Sequence, residues 1–129
     1  MPNHDLELLT YLNLAALSQR KRQLLGSDKL LVLAGAAACQ AGCLTVAERC
    51  REVVVAHHPR HVLSRFTSFP DALRSDDFAP LLRRLKKLCT FEAAELLARE
   101  WDVFDESFRD RTVDEVEAEA LRLLTDFAK

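Results

Sequence analysis

Between Leu33 and Pro59 the chain reads LAGAAACQAGCLTVAERCREVVVAHHP, and a handful of these residues leave few ways to fold it. Gly35 and Gly42 stand seven apart, Ala47 follows five residues later, and Pro59 comes twelve after that. Gly42 lets a helix end by reversal, because it has no Cβ to oppose a left-handed backbone. Pro59 prevents the next helix from continuing. Thr45-Val-Ala-Glu48 matches a capping box, with Thr45 as N-cap and Glu48 reaching back. These signals predict a second helix from Ser27 or Asp28 to Ala41 and a third from Val46 to His57. A connection of about three residues makes the two helices antiparallel neighbours. Gly35 and Ala38 on one, with Ala47 and Cys50 on the other, predict a crossing closer than the usual ~8–10 Å.

The flanking sequence follows the same pattern. Leu6, Leu9, Leu12 (or Asn13), Ala16 and Leu17 recur at three- and four-residue steps, predicting a first helix over about Asp5–Leu25. Gln19-Arg20-Lys21-Arg22 suits its C-terminal end and Gly26 its stop. Arg60–Arg65 reads as a short helix, and Ser68-Phe-Pro-Asp71 as a start signal leading through Leu73. Asp76 or Asp77 opens a helix carrying Phe78, Leu81, Leu82, Leu85 and Leu88. Thr90 caps the next, with Ala93, Ala94, Leu97 and Trp101 along one side. Thr112-Val-Asp-Glu115 is a second capping box, opening a final helix that packs Val116, Ala120, Leu123, Leu124 and Phe127. With three glycines and four prolines in 129 residues there is little material for β-turns. The fold class is therefore all-α, a single domain over 1–129 of antiparallel helical hairpins or an irregular helical bundle.

Charge narrows the function classes. A formal net charge of −2 and a pI near 6.1 give no overall pull toward nucleic acid or an anionic membrane. Glu100–Glu119 holds nine acids and two arginines, while Arg83, Arg84, Lys86 and Lys87 cluster with no acid between them. Arg20-Lys21-Arg22, Arg49, Arg51 and the Arg83–Lys87 cluster lack the neighbouring aromatics that stack RNA bases, Tyr11 and Trp101 being distant in sequence. The apolar run Leu30–Leu44 is too short to span a bilayer and predicts a buried helix. No signal-peptide pattern opens the sequence, so a cytoplasmic location with reduced cysteines is expected, and no membrane partner.

Catalytic and metal chemistry find little support. Cys39, Cys43 and Cys50 with His57, His58 and His61 have ligand chemistry, but no Cys-x-x-Cys pair occurs and Gly42 separates Cys43 from the helix bearing Cys39. Cys50 and His57 share a helix face two turns apart, about 10 Å, too far for proton transfer. The glycines suit helix contacts rather than a phosphate loop. Glu115, Glu117 and Glu119 have no accompanying Glu-x-x-His. The expectation is a non-enzymatic chain with no metal and no cofactor.

With Gly35, Gly42, Ala47 and Pro59 at these spacings, residues Asp28–His61 resemble a tetratricopeptide repeat. Ala38 and Arg51 stand where that family has aromatics, and Val54 replaces a later alanine. A weaker echo over 75–108 sets Cys89 at the reversal and Ala94 at the alanine position. Its register is offset by 47 residues instead of 34, the additional 13 spanning His61 to Arg74 with Phe66 and Phe69 as anchors. Residues 112–128 would form a C-terminal capping helix. The resemblance implies a right-handed helical array whose first helices line a partner-binding groove. Carried onto this chain, the groove positions are Lys29, Val32, Leu33, Ala36 and Gln40, then Ala79, Arg83, Lys86 and Lys87. Their cations imply an acidic peptide or helix of a partner protein. The alternative is a homodimer joined through the acidic Glu100–Glu119 face and the basic one.

Overall fold

The computed structural model describes residues 4–21, 24–103, 112–125 and 127. Among them are seven α-helices, one 3₁₀ turn and no strand. In order they are α1 (His4–Arg20), α2 (Leu24–Ala41), α3 (Leu44–His57), the 3₁₀ turn η1 (Val62–Arg65), α4 (Phe69–Leu73), α5 (Ala79–Leu88), α6 (Phe91–Glu100) and α7 (Val113–Thr125). Arg22 of the basic run and residues 104–111 of the acidic run lie outside the described residues.

Two helices form the centre. Every residue of α2 from Leu30 to Ala38 is buried, and α1, α3, α4 and α5 all pack against it. A helix apolar all round has no solvent side to present. α1 is buried nearly as completely: Leu8, Leu9, Leu12, Leu14 and Ala15 are inaccessible, and Thr10, Tyr11 and Ser18 are buried with them. The single apolar stripe expected for α1 is therefore replaced by contacts with α2, α6 and α7 on several sides. α5 packs on α2 whereas α6 packs on α1, so the two consecutive helices serve different partners. Val116, Ala120, Leu123 and Leu124 of α7, with Phe127 beyond it, are buried as expected.

The α2–α3 reversal shows how local chemistry sets a helix end. Gly42 has φ +82°, Cys43 N–H donates to Ala38 O at 2.8 Å, and Gly42 N–H donates to Cys39 O at 3.2 Å. This paired closure satisfies carbonyls that the helix end would otherwise leave open. A Cβ at position 42 would meet nothing within 4 Å, so only the backbone resists substitution. Gly42→Ala is expected to cost about 1 kcal/mol, read as a lower urea midpoint at unchanged m-value. Asp102, at φ 58°, ends α6 in the same way, with Val103 N–H donating to Ala98 O at 2.8 Å.

Several expected details differ. α2 begins at Leu24 and runs through Gly26, so Gly26 stops no helix; Ser27 and Asp28 are buried inside it and do not cap. α3 begins at Leu44 after Cys43, with no side-chain cap, so the Thr45–Glu48 capping box does not form. Glu48 Oε1 instead accepts the N–H of Phe69, the first residue of α4, at 2.7 Å. α5 follows Phe78 and has no cap from Asp76 or Asp77, and Leu88 is exposed. Ser68, Thr90 and Thr112 act as expected, their hydroxyls accepting from Asp71, Ala93 and Glu115 N–H.

Gly35 also has a role other than the one expected. A Cβ there would lie 2.3 Å from Phe69 Cε2, so the glycine admits the Phe69 ring of α4. Phe69 is fully buried and meets Phe78 edge-on, with ring centroids 6.0 Å apart. Arg51 Nη2 donates to Phe66 O at 2.5 Å, tying the same segment to α3. Residues 61–74 thus form a strap over α2 and α3, anchored by Phe69, with Phe66 half-buried.

Candidate functional site

A cleft of about 480 Å³ opens beside α2. Leu33, Ala36, Ala37 and Gln40 of α2 line it, with His4, Glu7 and Tyr11 of α1. Leu73 of the strap, Leu82 and Lys86 of α5, and Thr90 and Phe91 at the start of α6 complete the wall. Its size falls in the range that holds a small ligand or an anchoring side chain, and its lining mixes apolar and polar groups in the usual manner. Tyr11 stiffens one wall: its hydroxyl donates to Cys89 O at 3.1 Å, and its ring meets Phe91 edge-on at 6.5 Å. Burial pushes the Tyr11 phenol above its ordinary value, with Cys89, Glu7 and Glu92 adding to the shift. It therefore stays protonated and serves as a hydrogen-bonding post.

The structure distributes the expected groove residues unevenly. Leu33, Ala36, Gln40 and Lys86 share the large cleft. Lys29 and Val32 line a separate hollow of about 170 Å³ with Asp28, His58, His61, Leu81 and Leu85. Val32, Leu33 and Ala36 are buried, because α5 lies on this face of α2. Arg83 and Lys87 are exposed and line neither hollow. Among the described residues, Arg83, Arg84, Lys86 and Lys87 make no ion pair, which leaves α5 with an uncompensated basic face. His4, Glu7 and Tyr11 were not expected in the cleft. Their three- and four-residue steps on α1 place them together, but only the packing of α6 and α5 tells which face closes on what.

The remaining candidates have structural employment. Arg51 ties down the strap, Arg49 pairs with Glu52 at 3.2 Å, and Lys21 Nζ lies 4.1 Å over the Trp101 ring. That last contact joins a basic residue and an aromatic distant in sequence, and it pins the end of α1 to the end of α6. Burial raises all four thiols, Cys39 to about 11, and a thiol held protonated is a weak nucleophile. His57 and His58 turn toward Asp28, with Asp28 Oδ1 2.8 Å from His57 Nδ1 and Oδ2 3.9 Å from His58 Nε2. Among the described residues, no group of three or more His, Cys, Asp or Glu side chains could hold a metal ion. No helix among them is long and apolar enough to cross a membrane. No family model, curated protein or solved structure matches this chain.

Proposed function

We propose that this chain is a non-enzymatic protein-interaction module that holds an acidic peptide or helix of a partner protein along α5 and the neighbouring cleft. One observation carries the reading: a cleft of mixed apolar and polar lining, edged by Lys86, adjoins a helix whose four cations are exposed and unpaired among the described residues. Exposed cations of this kind speed encounter with an acidic partner and select against a basic one. An apolar residue of the partner would then anchor against the half-buried Leu73, Leu82 and Phe91. We further take residues 28–61 as a tetratricopeptide-like helix pair in a cytoplasmic protein, supported by the Gly42 reversal and by four unpaired thiols.

The test compares affinity capture by the wild type and by the Arg83→Glu/Lys87→Glu variant, with a photo-crosslinker at Gln40 to report occupancy of the cleft. Both substituted residues are exposed, so helicity should be unchanged. Capture of a crosslinked partner is expected to fall about tenfold in the variant. Undiminished capture would reject the basic surface. Recovery of copies of this chain alone would replace the reading with self-association.

A further inference from the structure

The strap begins with an unusual cap. His61 precedes η1, and the Leu63 N–H donates to His61 Nδ1 at 3.1 Å. A backbone N–H can only donate, so Nδ1 must be the acceptor and the ring proton resides on Nε2. Serine or asparagine in this position would cap at any ordinary pH. A histidine caps only while Nδ1 keeps its lone pair. We propose that His61 is a proton-sensitive cap: protonation at Nδ1 sets one N–H against another, breaks the Leu63 contact and loosens η1 from α3.

The surroundings of His61 favour its neutral form. From α2 it faces the Asp28 carboxylate and Lys29; beyond α3 it faces His58, while His57 is engaged by Asp28; α5 contributes only apolar Leu81 and Leu85 here. Burial is the main cause that lowers the His61 pKa below its ordinary 6.5, and His58 lowers it further while Asp28 opposes both. The folded chain thus binds this proton less readily than the unfolded chain. The contribution of His61 to stability is complete above pH 6.5 and is lost as pH falls below it toward the lowered folded value. Arg51 on Phe66 O and Glu48 on Phe69 N–H still hold the later part of the strap, so loosening is local to η1. Leu73 carries the strap to the cleft wall; influence on docking rests on the reading above, but the cap does not.

The test is amide exchange and ring-nitrogen NMR on the full chain between about pH 7.5 and about pH 5.5. At the higher pH, His61 should show the Nε2–H tautomer. After correction for intrinsic rates, protection of the Leu63, Ser64 and Phe66 amides should fall about fivefold at the lower pH, the worth of a typical cap. Buried α2 amides provide the control for global opening. His61→Asn supplies an amide oxygen that accepts from the same N–H and does not titrate, so it should keep the protection and abolish its pH dependence. An Nδ1–H tautomer at neutral pH, equal protection at both pH values, or an undiminished pH response in His61→Asn would each overturn the proposal.

Discussion

Phe69→Ala is expected to lower stability by about 4 kcal/mol, near the middle of the range for deleting a buried aromatic ring. The ring is fully buried, seats over Gly35 and meets Phe78 edge-on, so its removal empties the junction of the strap with α2. Gly35→Ala attacks the same junction from the other side. Its new Cβ would lie 2.3, 2.7 and 2.9 Å from three atoms of the Phe69 ring, well inside contact distance. The ring cannot simply swing away, because Phe78 bounds it and Glu48 fixes its backbone. A loss of about 3 kcal/mol is expected, at the upper end for an overpacked core. Combined, the substitutions should cost clearly less than their sum, since the cavity made by one receives the methyl of the other. Urea unfolding of the two single variants and the double variant measures this coupling. Strict additivity would show that Phe69 and Gly35 do not share the junction.

Glu48→Ala should cost about 2 kcal/mol, the effect of removing a charged acceptor from a partly buried N–H. Glu48 Oε1 takes the Phe69 N–H across a separation of 21 residues and so links α3 to the start of α4. Glu48→Gln retains an acceptor of the same reach and should lose roughly half as much. Amide exchange at Phe69 gives the direct readout, rising strongly in the alanine variant. If Thr45→Ala proved as damaging as Glu48→Ala, the local capping box would have to be reinstated.

The contrast between Glu48 and Thr112 shows what can be read in a sequence of this kind. Both belong to apparent capping boxes, yet only Thr112 caps its helix. Ser68, Thr90 and Gly42 likewise act through neighbours a few residues away, and a local pattern suffices to identify them. Glu48 instead satisfies a donor on a distant segment, and no spacing rule ranks that donor against its own helix end. Gly35 illustrates the same gap. A small residue announces that something approaches closely, but not whether a helix or a phenyl ring does so. A glycine near capping residues resembles a helix stop, whereas Gly26 sits within α2. For the cleft, Leu33, Ala36, Gln40 and Lys86 are among the groove positions that the repeat resemblance implies, and they line its α2 and α5 walls. Its α1 side was not, since an α1 buried on several sides offers no single face to assign.

That burial of α1 bears on the order in which the chain can assemble during synthesis. Among the described elements, α1 leaves the ribosome first and α7 last, yet the two pack together. In a stack of repeats, each unit gains its neighbour as soon as the next one emerges. Here the apolar side of α1 turned toward α7 stays uncovered until the rest of the described chain has been made. Its closure joins helices whose nearest ends, Arg20 and Val113, are 93 positions apart, a contact whose loop entropy must be met before it stabilises anything. The nascent chain therefore carries an open hydrophobic seam from the emergence of α1 to that of α7, the condition under which chaperone capture competes with folding.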